Sequence, residues 1–164
     1  MKIGLISDTH NYFDPQLIEY FSSCDEIWHA GDFGTIKIAD ELKNIAPLRG
    51  VYGNIDGQDI RKEFPKDLRF ECGGVHFFMT HIGGNPGRYA IPVRGEIEKK
   101  PPDVFICGHS HILKIARDHS LGNNMLFINP GAAGRHGFQL QRTILRFDIL
   151  EKKLCNMEVI VLDL

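Results

Sequence analysis

Residues 2–10 read Lys-Ile-Gly-Leu-Ile-Ser-Asp-Thr-His, a short apolar run that ends in an acid and a histidine. Residues 26–32 (Glu-Ile-Trp-His-Ala-Gly-Asp) and 48–54 (Leu-Arg-Gly-Val-Tyr-Gly-Asn) follow the same pattern. We interpret 2–7, 26–30 and 48–52 as strands. The intervening segments 15–21 and 35–45 carry helical signals. Strands that alternate with helices predict parallel pairing through crossover helices.

The remainder of the chain is richer in predicted strands. Segments 68–72 and 75–80 flank Gly73-Gly74 and predict a hairpin. A helix is predicted over 89–100, where Pro101-Pro102 ends it. Further strands are predicted at 104–107, 112–117, 125–128, 143–149 and 154–161. We therefore expect an α/β protein with two sheets and helices outside them, formed by residues 1–164 as a single domain.

Composition narrows the class of protein. The chain has 164 residues, of which 43% are hydrophobic and 24% are charged, as in ordinary globular domains. The formal net charge is −2, which argues against a dedicated nucleic-acid surface. No segment approaches the roughly 18 apolar residues of a membrane-spanning helix. We expect a cytoplasmic protein with no membrane partner.

Five short polar motifs stand at or just after the ends of predicted strands. They are Asp8-Thr9-His10, Gly31-Asp32, Gly53-Asn54-Ile55-Asp56, Thr80-His81 and Gly108-His109-Ser110-His111. Functional sites in α/β proteins assemble at the carboxyl ends of strands. In extended backbone, residues two apart point to the same side, so each D-x-H or H-x-H pair can aim two ligands into one pocket.

These motifs supply two carboxylates, one amide oxygen and four imidazoles. The candidate ligands are Asp8, His10, Asp32, Asn54, His81, His109 and His111. They are too many for one tetrahedral zinc ion, and nitrogen and oxygen donors without thiolate suit Mn, Fe, Zn or Ni. The set fits two ions about 3.5–4 Å apart that share a carboxylate, an arrangement used for displacement at phosphorus.

The ordered motifs D-x-H, G-D, G-N-x-D, H and G-H-x-H resemble those of the calcineurin-like metallophosphoesterases, specifically the small bacterial and archaeal phosphodiesterase branch. The resemblance implies a four-layer α/β/β/α sandwich with two divalent ions, Mn²⁺ foremost and Ni²⁺, Zn²⁺, Fe²⁺ or Mg²⁺ as alternatives. It assigns one ion to Asp8, His10, Asp32 and His111, and the other to Asp32, Asn54, His81 and His109. Asp32 would bridge the ions, with a hydroxide between them as the nucleophile.

The resemblance makes Asp32, Asn54 and His81 the candidate catalytic residues. One position departs from a common family pattern, G-N-H-[DE], in which the histidine can protonate the leaving group. Here that position is Ile55, which cannot transfer a proton. We therefore expect a preference for leaving groups of low pKa, which need little protonation in the transition state.

Other polar residues near the motifs have two interpretations each. His29 and Asp56 could support the ligands from behind, or serve as a buried structural histidine and a turn-forming aspartate. Arg88 and Arg135 lie in glycine-rich segments and could clamp a phosphate, although a solvated surface position explains both. His136 is interpreted mainly as a surface histidine.

The leading functional hypothesis is a metal-dependent phosphodiesterase acting on small or activated phosphodiesters. A non-catalytic interaction scaffold is the alternative from another class, because the scaffold subunit of the retromer coat has this fold with an impaired metal site. A phosphomonoesterase also stays open, whereas a nuclease is disfavoured by the chain length and charge. Completeness of the ligand set favours the enzyme. The sequence leaves a homo-oligomer possible.

Overall fold

The computed structural model describes residues 1–121 and 123–163. Its first sheet has five strands in the order β12-β11-β1-β2-β3. These strands are β1 (Lys2–Ile6), β2 (Glu26–His29), β3 (Leu48–Gly50), β11 (Arg142–Leu150) and β12 (Lys153–Leu162). The pairs β1–β2 and β2–β3 are parallel, as expected from the helices that connect them, while β11 joins the other side of β1 in antiparallel orientation.

The second sheet has the order β4-β5-β8-β10-β9. Its strands are β4 (Asp67–Cys72), β5 (Val75–Thr80), β8 (Val104–Ile106), β9 (Leu113–Asp118) and β10 (Met125–Pro130). β4 and β5 form the predicted antiparallel hairpin around Gly73-Gly74, and β5–β8 and β8–β10 are parallel pairs. A two-stranded ribbon, β6 (Gly84–Asn85) with β7 (Arg88–Tyr89), was not predicted from the sequence.

Four helices lie within the described residues. They are α1 (Gln16–Phe21), α2 (Ile36–Lys43), α3 (Gln58–Glu63) and α4 (Ile91–Lys99). Asp14 accepts a hydrogen bond from the backbone N–H of Gln16 at 2.9 Å, which satisfies a free donor at the start of α1. None of these four helices has the length and hydropathy needed to cross a membrane.

Three apolar clusters separate four layers and confirm the predicted α/β/β/α sandwich. The central cluster joins the two sheets, with Leu5 and Trp28 from the first sheet packed against Phe77 from the second. A second cluster lies between the first sheet and α1, α2 and α3. A third places Val93 and Ile97 of α4 on the outer face of the second sheet. Because side chains alternate in direction along each strand, apolar residues reach both faces of each sheet.

Strand β1 shows how closely α1 packs on the sheet. Its residues Ile3 and Leu5 face the central cluster, whereas Gly4 faces α1. A Cβ at Gly4 would lie 2.5 Å from the ring of Phe21, so glycine is needed for Phe21 to contact the sheet. This packing fixes the direction in which β1 delivers the residues that follow it.

Candidate metal centre

The carboxyl ends of five strands meet at one edge of the sandwich. Asp8 and His10 follow β1, Asp32 follows β2, Asn54 follows β3, His81 follows β5, and His109 and His111 follow β8. The first three strands belong to one sheet and the last two to the other, so the centre lies across the junction of the sheets. The structure brings all seven of these predicted ligands into one neighbourhood.

Two groups of donors form within this neighbourhood. One consists of Asp8, His10 and His111, and the other of Asp32, His81 and His109. Within each group the donor atoms lie within 4.8 Å of one another. The same division follows from the family resemblance, which assigns these trios to separate ions.

Asp32 lies between the two groups. Its Oδ2 atom is 3.4 Å from Nε2 of His10 and 3.2 Å from Nε2 of His81. Its Oδ1 atom accepts a hydrogen bond from the backbone N–H of Ile55 at 3.1 Å, which orients the carboxylate. Asn54 joins the second group through its Oδ1 atom, which accepts a hydrogen bond from Nδ1–H of His109 at 3.0 Å.

Three buried donor atoms of the centre have no hydrogen-bond partner among the described residues. They are Oδ1 of Asp8, Nε2 of His10 and Nε2 of His81. Buried polar atoms are almost always paired in folded proteins, because an unpaired one costs about 1–3 kcal/mol. The ligand atoms of the two groups are all carboxylate oxygens and imidazole nitrogens, with no thiolate among them. Divalent cations that prefer nitrogen and oxygen ligands fit this set.

Mutual contacts set the ionisation of the centre. Burial alone would raise the pKa of Asp8, but contacts with His10, His111 and His81 hold that pKa well below its usual range. Asp32 has a lowered pKa for the same combination of causes, with His81 as its main partner. The carboxylates are therefore ionised at neutral pH, as metal ligation requires.

Most of the predicted ligands have a left-handed backbone conformation. Five of the seven predicted ligands have positive φ angles, namely Asp8 (53°), His10 (44°), Asp32 (60°), His109 (68°) and His111 (62°). Left-handed backbone costs roughly 1–2 kcal/mol per residue with a Cβ. Such conformations concentrate at functional sites, where the surrounding structure enforces them.

Glycines allow the loops to approach this closely. A Cβ on Gly31, whose φ is +101°, would lie 2.6 Å from Nδ1 of His81. A Cβ on Gly53 would overlap the carboxylate and backbone N of Asp32. The glycines of the G-D and G-N-x-D motifs are therefore required by the crowding of the ligands.

Several hydrogen bonds orient the ligands from behind. The Ser7 hydroxyl donates to Oδ2 of Asp8 at 2.6 Å, which leaves Oδ1 facing the centre. Nδ1–H of His81 donates to the carbonyl of Ala30 at 2.8 Å, and Nδ1–H of His111 donates to Oε1 of Gln139 at 3.0 Å. Both contacts direct the Nε2 lone pair toward the carboxylates, the arrangement found behind metal-binding histidines.

Asp56, predicted as a supporting residue, accepts four backbone hydrogen bonds. Its Oδ2 atom accepts from the N–H groups of Asp32 (3.0 Å), Phe33 (3.2 Å) and Gly53 (2.8 Å). Its Oδ1 atom accepts from the N–H of Gly34 at 2.9 Å. This buried carboxylate therefore ties the loop after β2 to the loop after β3.

His29 is fully buried and does not contact the donor groups. Its Nδ1 accepts from the N–H of Gly31 at 3.1 Å, so its Nε2–H donates to the hydroxyl of Thr9 at 3.0 Å. The ring stacks on Phe33 with 3.6 Å between centroids. Burial lowers the pKa of His29 to about 3, so this imidazole is neutral and joins the loops after β1 and β2.

Two cavities flank the centre, and Asn54 lines both. The mouth cavity, about 490 Å³, is lined by His10, Asp32, His109 and His111 and by the segment 136–139. The second cavity, about 580 Å³, lies between α3 and α4 and includes His81 in its wall. We call it the α3–α4 cavity.

Arg88 and Arg135, for which both a phosphate clamp and a surface position were considered, do not line either cavity within the described part of the chain. Arg88 is exposed on the β6–β7 ribbon, and Arg135 places its guanidinium over the ring of Tyr12 at 4.3 Å. The cations that do line the α3–α4 cavity are Arg61 and Lys66, which the sequence reasoning missed.

Two further residues of the mouth cavity were not identified as part of the site. The ring of His136 stacks on that of His10 with 4.8 Å between centroids, and Gln139 orients His111. Neither belongs to a motif, and the segment that carries them lies about 25 residues beyond the last motif. Only the tertiary fold brings this segment to the centre, so no local signal could have found it.

The family model and two relatives that match this chain are all phosphoesterases. Residues 1–152 match the model of the calcineurin-like phosphoesterase superfamily domain. The chain is 31% identical to Phosphodiesterase MJ0936 of Methanocaldococcus jannaschii over 80% of this chain and 83% of that protein. It is 32% identical to probable metallophosphoesterase MJ0623 of the same organism, over 80% of this chain and 68% of that protein.

Solved structures extend the comparison to the fold. A structure described as a novel archaeal phosphodiesterase superposes with a TM-score of 0.77 at 29% identity, covering 99% of this chain and 100% of that one. Vps29 from Chaetomium thermophilum has a TM-score of 0.75 at 17% identity, covering 99% and 97% of the two chains. At that identity the second likeness concerns the fold alone.

Proposed function

The chain belongs to the calcineurin-like phosphoesterase superfamily, and on that premise we propose that it is a metal-dependent phosphodiesterase acting on small or activated phosphodiesters. The observation that carries the proposal is the convergence of the predicted ligands: six of them form two groups, and Oδ2 of Asp32 in one group lies 3.4 Å from Nε2 of His10 in the other. A scaffold protein would have no need for three buried atoms, Oδ1 of Asp8, Nε2 of His10 and Nε2 of His81, that lack a hydrogen-bond partner in the described part of the chain.

The proposed roles follow from position. Asp8, His10, Asp32 and His111 would hold one divalent ion, and Asp32, Asn54, His81 and His109 the other. Two such ions lower the pKa of water and neutralise charge that develops on a phosphoryl group. Nitrogen and oxygen donors suit Mn²⁺, Fe²⁺, Zn²⁺ and Ni²⁺, and Mn²⁺ is the ion we propose to test first.

The chain's own residues would fix the geometry of the reaction. Ser7, Ala30 and Gln139 hold the ligands Asp8, His81 and His111 in orientation before substrate arrives. Asp56 and His29 hold the loops that carry them. Catalysis of phosphoryl transfer depends mainly on positioning and on prearranged charge, which this framework supplies.

The two cavities favour a diester over a monoester. A diester carries two organic groups on its phosphate, and two cavities that share Asn54 adjoin the centre. A monoester would leave one of them without a substrate group. The shared lining residue Asn54 lies where the two organic groups would diverge.

Ile55 bears on the choice of leaving group. Its side chain is 45% exposed and lines the mouth cavity, and its backbone N–H donates a hydrogen bond to Asp32. An aliphatic side chain there offers no proton to a departing alkoxide. We therefore propose that aryl phosphodiesters are cleaved readily and simple alkyl diesters slowly.

The test is a series of phosphodiesters and matched monoesters with Mn²⁺-loaded protein. We expect kcat/KM for bis(p-nitrophenyl) phosphate to exceed that for p-nitrophenyl phosphate, with both rates abolished by EDTA. A plot of log kcat/KM against leaving-group pKa should have a clearly negative slope, and Ile55→His should flatten it by accelerating the alkyl esters most.

Equal or faster hydrolysis of the monoester would replace the proposal with a phosphomonoesterase. Absence of hydrolysis with every divalent metal tried would favour a scaffold role. A slope near zero in the wild type would show that another group protonates the leaving group, and the interpretation of Ile55 would be withdrawn.

A further inference from the structure

The loop after β8 carries one polar side chain that the proposed metal ligation does not use. Ser110 stands between the candidate ligands His109 and His111, and all three residues line the mouth cavity. His10 and Asp32 line the same cavity, so a phosphate on the proposed ions would border it. The Ser110 hydroxyl therefore lies at the edge of the space that a substrate would occupy.

Asn129 holds this hydroxyl from behind. Its Nδ2 group donates to Oγ of Ser110 at 3.0 Å and to the carbonyl of Gly108 at 2.9 Å. Its Oδ1 atom accepts from the backbone N–H of Gly131 at 3.0 Å, which fixes the orientation of the amide. Asn129 is 2% exposed, so the group that positions Ser110 is itself part of the packed interior.

A second donor uses the remaining acceptor site of the Ser110 oxygen. The backbone N–H of Ile112 donates to Oγ at 3.2 Å. A serine hydroxyl has two acceptor lone pairs and one donor hydrogen, so two incoming N–H groups leave the O–H free only to donate. That O–H has no acceptor among the described residues. Incoming hydrogen bonds also polarise a hydroxyl and strengthen it as a donor.

Other side-chain donors at the mouth cavity are engaged or unfixed. In the described part of the chain, no lysine or arginine lines this cavity. Nε2 of Gln139 donates to the carbonyls of Gly134 at 3.3 Å and His136 at 2.7 Å, so both of its N–H bonds are used. The His136 ring stacks on His10, and no hydrogen bond to the described residues fixes its proton. Outside the candidate ligands, Ser110 is therefore the prearranged donor of this cavity.

A fixed donor beside a metal centre suits a phosphoryl oxygen. Negative charge is spread over the non-bridging oxygens during phosphoryl transfer, and donors oriented in advance stabilise it without reorganisation. We propose that Ser110 is a catalytic residue whose hydroxyl donates a hydrogen bond to a non-bridging phosphoryl oxygen of the substrate; this inference rests on the function proposed above. The contact transfers no proton, so it does not replace the acid that Ile55 lacks.

Kinetics of two variants test the contact, because Ser110→Ala removes the hydroxyl and Ser110→Thr keeps it. With Mn²⁺-loaded protein and bis(p-nitrophenyl) phosphate, Ser110→Ala should lower kcat about tenfold or more and leave KM within about threefold, since the bond strengthens in the transition state. Ser110→Thr should stay within about threefold of the wild-type kcat. An unchanged kcat in Ser110→Ala, or equal losses in both variants, would overturn the inference.

Ser22→Ala is the matched control. Ser22 is also exposed, and its hydroxyl donates to the carbonyl of Glu19 at 3.0 Å, at the end of α1. This variant should keep the wild-type kcat. Across the ester series, Ser110→Ala should lower log kcat/KM equally for every leaving group. A steeper dependence on leaving-group pKa would place the hydroxyl on the leaving oxygen and overturn the assignment to a non-bridging oxygen.

A binding measurement distinguishes a substrate contact from support of the metal ligands. Orthovanadate mimics the five-coordinate phosphorus of the transition state. Calorimetric titration of the Mn²⁺-loaded protein should show about tenfold weaker vanadate binding in Ser110→Ala and no change in Ser22→Ala. The affinity for Mn²⁺ should stay within about twofold of wild type. A parallel loss of Mn²⁺ affinity would show that Ser110 only holds His109 and His111, and would overturn the inference.

The same titration separates this inference from the proposed function. If no diester is hydrolysed but Ser110→Ala weakens vanadate binding as expected, the oxygen contact stands and the phosphodiesterase proposal fails. If diesters are hydrolysed and Ser110→Ala changes neither kcat nor vanadate binding, the phosphodiesterase stands and the role of Ser110 fails.

Discussion

The central apolar cluster and the metal centre are both buried, but they are built in opposite ways. In the cluster, Trp28 packs edge-to-face on Phe77 and Phe70, each with 4.8 Å between ring centroids, so apolar rings contact one another. In the centre, Asp8 is equally buried, with 0% exposure, yet its Oδ1 atom has no partner among the described residues.

The difference shows that stability and function are placed in separate parts of the same sandwich. The strands provide the packed apolar side chains. The loops at their ends contain residues with left-handed backbone, glycines in close contact with the ligands, and carboxylates and imidazoles held close together. We infer that substitutions in the strands change folding and substitutions in the loops change chemistry. The following predictions test that separation, beginning with the largest effect.

Asp8→Asn should lower kcat/KM for an aryl phosphodiester by at least about 10³-fold, close to 4 kcal/mol of barrier. The substitution keeps the shape of the side chain but removes the negative charge that three histidines and the proposed ion would contact. Steady-state kinetics with excess Mn²⁺ measures it. Asp40→Asn, on the exposed side of α2, is the control and should retain wild-type activity.

A loss smaller than about tenfold in Asp8→Asn would mean that Asp8 is not a metal ligand, since tenfold corresponds to only about 1.4 kcal/mol. Circular dichroism of the same variant should show the wild-type fold. Loss of the fold would instead place this residue among those that hold the structure.

Phe77→Ala should have the complementary effect. Removing a ring that is 1% exposed between the sheets should lower the free energy of unfolding by about 3–5 kcal/mol. The molecules that stay folded should keep a kcat within about threefold of wild type, because Phe77 does not contact the centre. Urea denaturation measures the free energy of unfolding, and steady-state kinetics at low temperature, where the variant is fully folded, measures kcat. A large fall in kcat under those conditions would contradict the separation of stability from function.

His29 predicts a pH dependence of stability with a defined sign. Its pKa is about 3 in the folded protein and about 6.5 when unfolded, so the unfolded chain binds the extra proton. Stability from a neutral His29 is present above pH 6.5 and is lost as the pH falls, by about 2 kcal/mol between pH 7 and pH 5.

The measurement for His29 is urea denaturation at several pH values with EDTA present. His29→Gln can donate and accept as neutral imidazole does but cannot titrate, so this variant should lack that part of the loss. Identical pH profiles for the two proteins would contradict a buried, neutral His29. His76→Gln, at an exposed position on β5, should follow the wild-type profile.

The smallest predicted effect concerns backbone conformation. At His109, where φ is 68° and the side chain is exposed, glycine should make the metal-free protein about 1 kcal/mol more stable than alanine does. At the neighbouring Ser110, which does not have a positive φ, alanine should be the more stable by about 0.5–1 kcal/mol. Thermal denaturation of the four variants tests both predictions. If the same residue, glycine or alanine, gives the more stable protein at both positions, the loop relaxes and the positive φ of His109 does not determine stability.

Much of the fold could be predicted because its elements have local signals. The Gly73-Gly74 hairpin and the apolar strands beside it are examples. Helix α3 was missed because its six residues, Gln-Asp-Ile-Arg-Lys-Glu, contain one apolar residue and hence no periodicity. Its position depends on Ile60 reaching the cluster under the first sheet, which is a tertiary effect.

The seven candidate ligands could be predicted because each motif places them directly after a strand. The charged residues that line the cavities could not be predicted, because proximity in sequence is a poor guide to position in the fold. Arg88, only seven residues after His81, is carried away from the centre by the β6–β7 ribbon. Arg61 and Lys66 reach the α3–α4 cavity from a segment whose charges resemble those of any exposed surface.

The central claim is that two divalent ions are held by two donor groups with Asp32 in common. Anomalous diffraction from crystals grown with Mn²⁺ tests it directly. We predict two peaks, one among Asp8, His10 and His111 and one among Asp32, His81 and His109, with the Asp32 carboxylate bound to both ions. A single peak in fully loaded crystals, or an Asp32 carboxylate that touches one of two ions, would contradict the account.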